Sequence, residues 1–501
     1  MSRRFVAGGV LASVAAYVGW RRLARAPRRS VAVDRPVVHS DRGARTAELA
    51  RLGTRAGVNY AAFAAKSRFA DEERAAELRA RFELQTAEQV AEVLGNMKGA
   101  VMKLGQMASY LDQGLPEPVR EALAQLQSDA PSMSPGLAAG VVADELGAPP
   151  SEVFAAWEPE PFAAASIGQV HRATTHDGRE VAVKVQYPGV DAAIAADLDN
   201  SDLLFGAMGM LFPGLDPKPI VAELRARIVE ELDYRQEASN QTLFAEHYRG
   251  HPTIHVPEVV TELSTSRVLT TELATGATWS ELLGWSQEEK NLAAETLYRY
   301  AFGGIYRLGA FNGDPHPGNY LFRPGGEVTF LDYGLCKIFD AEDVSIFERL
   351  IRYMVLERDF DAFLRFTTEV GFVADVEHLS QDQLIDYFRH FYEVVMVDEV
   401  RTITPEYASE SVRRFFDLAG PHGDVIRSAN LPASMVIVQR INLGLYALFG
   451  ELHATANWRR IAEEIWPFVD AGPSTPMGER IAEWERRHHP DHPTHPEPAL
   501  P

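Results

Sequence analysis

Two hydrophobic periods alternate along the chain, and the changes between them outline the architecture. Residues 61–94 are dominated by Ala, Glu, Arg and Leu, which predicts helix. Met97, Val101, Leu104, Ala108 and Leu111 then recur at steps of four, three, four and three, a helical stripe that Gly114 and Pro116 end. Lys103, Gln106 and Tyr110 fall on another face of that helix. Pro149, Pro150, Pro159 and Pro161 mark a boundary, and beyond it the period becomes two. Residues 168–175 and 179–187 predict strands joined around His176-Asp177-Gly178, a hairpin signal. Val181, Val183 and Val185 alternate with Ala182, Lys184 and Gln186, so Lys184 points away from the valine face. Residues 220–247 predict one long helix, and 255–273 read as strand. From Thr275 to Val469 the pattern is helical, apart from a loop-and-strand region at 312–337. Residues 471–501 are rich in Pro and His and are expected to be disordered.

The segments fall into an order. Residues 1–30 form an apolar stretch with basic flanks, 31–60 a linker, and 61–150 a helical extension. A small β-rich lobe with one long helix follows at 151–274, then a larger helical lobe at 275–470 and the tail. This α+β arrangement is that of a protein-kinase-like bilobal fold, although fold order alone licenses no function.

Charge narrows the partners. Among 501 residues, 49 Lys and Arg against 70 Asp and Glu leave a net charge of −21, which argues against a nucleic-acid-binding surface. An ATP site remains compatible, since a few local cations with Mg²⁺ can neutralise phosphates. The single cysteine, Cys336, permits no intrachain disulfide and makes a thiolate zinc site an unattractive reading. The N-terminus opposes the acidic trend: residues 1–30 hold seven arginines and no acid around an uncharged stretch at 5–20. That stretch is marginally short for a bilayer core of about 30 Å. It reads as a membrane anchor, as a signal peptide cleaved at Ala24-Arg25-Ala26, or as a helix docked on a surface. If it spans, the arginine bias leaves the bulk of the chain on the cytoplasmic side.

The most specific chemistry lies in NGDPHPGNYLF followed by LDYGLCK. Asp314 and Asn319 stand five apart, as in a D-x-x-x-x-N catalytic loop, and Asp332 opens a variant of D-F-G thirteen residues later. Phosphoryl transfer needs metal ions on phosphate oxygens and a carboxylate near the nucleophile. Asn319 and Asp332 are hard oxygen ligands suited to Mg²⁺, and Asp314 would position the attacking hydroxyl or water. A short hairpin around Pro324-Gly325-Gly326 would hold these residues. Lys184 in VAVKV matches the V-A-I-K strand signature. Ala163, Ala164, Ala165 and Ser166 lie where a Gly-rich phosphate-covering loop would be, and alanines should make that loop stiffer than glycines do. Glu230, Glu231, Asp233 and Glu237 crowd the long helix. They read either as a solvated charged face or as partners of buried cations, with Glu237 on Lys184 and Glu231 on Lys103. His316 is expected to stabilise a turn, Cys336 to pack, and the histidines at 488, 489, 492 and 495 to be solvated.

The ordered set M-K-L-G-Q (Lys103, Gln106), A-A-A-S (163–166), V-A-V-K (Lys184), E-L-D-Y-R-Q-E-A (Glu231, Asp233, Glu237), G-D-P-H-P-G-N (Asp314, Asn319) and L-D-Y-G (Asp332) resembles the ABC1/UbiB atypical kinase family over roughly residues 90–465. The resemblance implies that the helical extension packs over the active site. Lys103 and Gln106 would contact Glu231 and Asp233 and occlude the groove where a peptide substrate would lie. It also implies ATP and Mg²⁺ binding, ATPase or kinase activity, and a role in isoprenoid quinone or lipid metabolism at a membrane. A membrane lipid or quinone precursor, and a quinone-biosynthesis complex, would be the partners. The segment at 435–450 is interrupted by Gln439 and Arg440 and reads as a helix of the large lobe, which moves membrane attachment to the N-terminus. Two other readings stay open: a small-molecule phosphotransferase of the aminoglycoside or choline kinase type, and a nucleotide-gated scaffold without turnover.

Overall fold

The valine alternation becomes the centre of a sheet. In the computed structural model, which describes residues 133–165, 167–190, 232–372, 379–416, 420–428 and 433–489, Val181, Val183 and Val185 are each at most 1 % exposed. The strands are β1 (Ala156–Trp157), β2 (Ala163–Ala165), β3 (Gly168–Thr174), β4 (Glu180–Gln186) and, later in the chain, β6 (Val268–Glu272). Among the described residues they form an antiparallel sheet in the order β1-β3-β4-β6, with β2 folded onto β3. The β3–β4 turn needs Gly178, whose φ is 88°, and Gly178 N–H closes it onto the Thr175 carbonyl at 2.9 Å.

Helix α1 (Pro135–Leu146) covers this sheet. Ser134 caps its start, Pro135 takes the first position, and Gly147 ends it at φ 79°. Its buried Ala138, Val141 and Val142 share one core with the β4 valines. α1 lies within the stretch expected to belong to the helical extension. α1 belongs to the small lobe, because its apolar face has the sheet as its partner, and Pro149 and Pro150 only introduce a short helix at Pro150–Val153.

The long helix expected at 220–247 is corrected. α2 runs Tyr234–His247, with Asp233 in extended backbone (φ −117°, ψ 101°) as its N-cap. The Asp233 carboxylate accepts the Arg235 N–H at 3.0 Å, so it starts the helix rather than sharing a face with Glu237. The strand expected at 255–273 is split. β5 (Ile254–His255) joins β8 (Tyr320–Arg323) and β9 (Glu327–Phe330) in a sheet of the large lobe, whereas β6 belongs to the small lobe.

The large lobe is built on α3 (Gln287–Gly303), whose residues Ala293 to Ala301 are all buried. β7 (Ala310–Asn312) pairs with β10 (Cys336–Ile338), and α4 (Ala433–Leu452) lies against the loop after β7: a Cβ on Gly444 would be 2.4 Å from Pro315 Cγ. Among the described residues no helix is long and apolar enough to cross a membrane. The N-terminal stretch, the linker and the K-x-G-Q segment lie outside the described residues.

The disorder expected from residue 471 is overturned for its first half. α5 (Pro476–His488) is capped by Thr475 and buries Met477, Ile481 and Trp484, spaced four and three apart. Its start is fixed by Arg299, which bridges Glu295 at 2.8 Å and Glu464 at 2.9 Å, all nearly buried, while Thr475 Oγ1 donates to Glu295 at 2.6 Å. Its end packs on α2. Trp484 Nε1 donates to the Arg249 carbonyl at 3.1 Å, and the His489 ring stacks on His247 with centroids 4.9 Å apart. His489 is thus partly packed on His247, whereas His488 stays exposed on the last turn of α5.

Two predictions follow from this packing. Trp484→Ala should destabilise the protein by about 3 kcal/mol in chemical denaturation; an unchanged midpoint would mean that α5 contributes nothing. Burial also holds His171 and His251 neutral, below the usual histidine range. His251 Nδ1 already accepts the Ile254 N–H at 2.9 Å and the Thr253 N–H at 3.2 Å, leaving no place for a proton. Both folded values lie below the unfolded value of about 6.5. Their contribution is therefore complete above that pH and is lost progressively as the pH falls below it toward the folded values. The melting temperature should drop between pH 7.5 and 5.5, and a flat profile there would contradict this.

Candidate active site

Lys184 leaves β4 on the face opposite the valines and meets α2. Its Nζ donates to Glu237 Oε1 at 2.9 Å and Oε2 at 2.8 Å, and stands 3.9 Å from Asp332 Oδ2. The two paired side chains are 16 % and 7 % exposed, so each charge depends on its paired partner to offset the loss of water. Burial works against the ammonium, but the Glu237 and Asp332 carboxylates overcome it and hold Lys184 well above its usual range. Glu237 sits in the first turn of α2, where the helix dipole favours a carboxylate.

Asp314 follows β7. Its N–H donates to Asn312 Oδ1 at 3.2 Å, and Asn312 Nδ2 donates to the Asp332 carbonyl at 2.6 Å. One side chain thus joins both acidic segments. Gly313 N–H donates to the Leu335 carbonyl at 2.7 Å, and a Cβ on Gly313 would meet Leu335 at 3.2 Å. His316 caps the short 3-10 turn Pro317–Asn319, accepting the Gly318 N–H at 3.1 Å, which is a turn-stabilising position. Asn319 Nδ2 donates to Asp314 Oδ2 at 2.9 Å, and the Asn319 carbonyl accepts from Leu331 N–H at 3.0 Å. The β8–β9 hairpin therefore spans from Asn319 to Asp332. Asp332 Oδ1 accepts the Gly334 N–H at 3.0 Å.

Beneath this, Tyr333 is fully buried against Phe244 of α2, with ring centroids 5.2 Å apart. Its hydroxyl accepts from Tyr300 at 3.2 Å, and its carbonyl accepts from Asn240 Nδ2 of α2 at 3.0 Å. Cys336 packs beside it, and burial pushes its thiol well up from the usual range.

Ala163, Ala164 and Ala165 form strand β2 rather than an open loop, paired to Val170, Gln169 and Gly168. Extended backbone asks no positive φ of an alanine. Glycine is required instead at Gly168 for space, since any Cβ there would collide with the Val185 carbonyl oxygen. Ser166, Lys103, Gln106 and Glu231 lie outside the described residues, and so does any pairing among them or with Asp233.

The structure thus brings Lys184, Glu237 and Asp332 to one place, and joins Asp314 to Asn319. Sequence reasoning passed over Asn312, Asn240 and Tyr234. The signal for Tyr234 was spacing: Tyr234, Glu237, Gln241 and Phe244 form the buried stripe of α2 at steps of three, four and three. Among the described residues no three His, Cys, Asp or Glu side chains gather as a metal cluster. An amide and a carboxylate, Asn319 and Asp332, instead suit a hard cation that takes its remaining ligands from phosphate oxygens and water.

The model of the ABC1 atypical kinase-like domain matches residues 125–366. The chain is 33 % identical over 293 residues to the mitochondrial atypical kinase COQ8B of Rattus norvegicus, covering 58 % of this chain and 55 % of that protein. It is 30 % identical to the mitochondrial atypical kinase COQ8 of Saccharomyces cerevisiae, covering 58 % of this chain and 59 % of that protein. It thus spans little more than half the length of these relatives. Among solved structures, the complex of Rv3197 with erythromycin from Mycobacterium tuberculosis is similar at a TM-score of 0.57 and 32 % identity, covering 80 % of this chain and 99 % of that one.

The buried pair generates a prediction. Lys184→Met and Glu237→Gln should each destabilise the fold by about 3 kcal/mol, because each takes from a buried charge the partner it hydrogen-bonds. The double variant should lose clearly less than the sum, read from denaturation of all four proteins; strict additivity would mean that the two side chains do not depend on each other.

Proposed function

Because the chain belongs to the ABC1 atypical kinase-like family, we propose that it binds ATP with Mg²⁺ and acts as an ATPase or kinase at a membrane, on or near an isoprenoid quinone precursor or lipid. The observation that carries this reading is the contact of Lys184 with both Glu237 and Asp332. In a phosphoryl-transfer site the lysine binds phosphate oxygens, and its glutamate keeps it in place. Asp314 would orient an attacking hydroxyl or water and take its proton. Asn319 and Asp332 would hold magnesium, which when bound neutralises charge on phosphate oxygens. The alanine hairpin and Ser166 would cover the phosphates, and the basic N-terminal stretch would keep the chain on the cytoplasmic side of its membrane. Lys103, Gln106, Glu231 and Asp233 would form the cover over the peptide groove.

One observation favours a second reading. The Mycobacterium tuberculosis neighbour was solved with erythromycin, which supports a hydroxylated small molecule as ligand or acceptor. A scaffold that binds nucleotide without turning it over is the third.

Purified full-length chain incubated with γ-labelled ATP and Mg²⁺, with and without liposomes, separates these readings. Asp332→Asn serves as control. Asp332-dependent release of label to water, raised by liposomes, is the expected result, and label in lipid makes the protein a lipid or quinone-precursor kinase. Label in an added hydroxylated metabolite moves the assignment to the second reading. Nucleotide binding with no Asp332-dependent transfer moves it to the third.

A further inference from the structure

Tyr234 is the first residue of α2 and is 2 % exposed. Its N–H is satisfied by the Ser266 carbonyl at 2.9 Å. Its hydroxyl is fully buried and has no hydrogen-bond partner among the described residues. Native proteins pair nearly all such groups, so an orphaned O–H signals a missing partner.

The surroundings say what kind of partner. The Tyr234 ring is the floor beneath Lys184, whose Nζ stands 5.0 Å from the ring centroid. The hydroxyl lies at the foot of the alanine hairpin, where a Cβ on Gly168 would be 3.0 Å from Oη. Burial above all, with the nearby Glu237 and Asp332 carboxylates, pushes the phenol up in spite of Lys184, so it keeps its proton and acts as a donor. Lys184 beside it is also a donor. A buried phenol donor under the field of the Lys184 ammonium, at the foot of a hairpin of small residues, suits an anionic acceptor, and a phenol O–H on an oxyanion makes a charge-assisted hydrogen bond. A water in the same place would need two or more further polar partners.

We propose that Tyr234 is a phosphate-binding residue, its hydroxyl donating to a phosphate oxygen of the bound nucleotide next to Lys184 and beneath the Ala163–Ala165 hairpin. This rests on the nucleotide-binding reading above. The tyrosine therefore contributes to affinity for the phosphate chain but not for the base.

The test is equilibrium binding of ATP, ADP and adenosine, with Mg²⁺, to the full chain and to Tyr234→Phe. The phenylalanine keeps the ring under Lys184 and removes only the hydroxyl. Affinity for ATP should fall roughly tenfold while adenosine binding stays the same. The ligand-free variant should melt at the same or a higher temperature, since a buried unpaired group has been removed. Equal loss for ATP and adenosine, unchanged ATP affinity, or a lowered ligand-free melting temperature would each overturn the assignment. Wild-type chain that binds no nucleotide would overturn the nucleotide reading itself; wild-type binding with an indifferent Tyr234→Phe overturns this inference alone.

Discussion

A lysine ammonium and a glutamate carboxylate buried together between a sheet and a helix constrain everything around them. Lys184 and Glu237 each hold the other's buried charge by a direct hydrogen-bonded contact, so β4 and the first turn of α2 must be brought into register. β4 is held centrally, with β3 on one side and β6 on the other. α2 starts where it does because the Asp233 carboxylate caps it, which puts Tyr234 and Glu237 three residues apart on the face toward β4. A helix continuing unbroken through residue 233 would need no such start, and nothing would then define which turn meets the lysine.

The acidic half of the site depends on the opposite device, a stitching of backbone by side chains. Asn312 accepts from Asp314 N–H and donates to the Asp332 carbonyl, so the loop after β7 and the segment before β10 move as one. Tyr333 then ties that unit to α2 through Phe244 and Asn240. The consequence is that Asp332 can approach Lys184 only while α2 is seated, because the residue after it is packed under the same helix. The geometry of the two halves is therefore coupled through one aromatic contact and one amide.

What was legible in the sequence had short-range periodicity or fixed spacing. The valine alternation in β4, the hairpin around Gly178 and the five-residue interval from Asp314 to Asn319 each express a local constraint, and the structure has the strands and turns there. What was not legible depends on partners distant in sequence. A charged stretch such as EELDYRQEA has the composition of a continuous helix, and whether Asp233 caps or continues it is decided by where the preceding chain goes. α1 looks like part of the helical extension until β4 is present to receive Val141 and Val142. A tail rich in Pro and His has the composition of disorder, and the apolar residues of α5 outweigh that because Thr296 receives Met477 while Arg249 and His251 receive Trp484. Tyr234 carried no motif of its own, since an orphaned hydroxyl exists only once the fold has removed it from water.

α5 completes the same logic from the far end. Its start is clamped to α3 through Arg299 and Thr475, and its last turn packs on His247, at the C-terminus of α2. α2 is thus fixed at one end by its cap and the buried pair, and at the other by a helix nearly 240 residues later in the chain. A rigid helix held at both ends has little freedom to slide along its axis, and sliding by one turn would move Glu237 about 5.4 Å from Lys184. The segment that composition marks as expendable is therefore one of the supports on which the position of the glutamate rests.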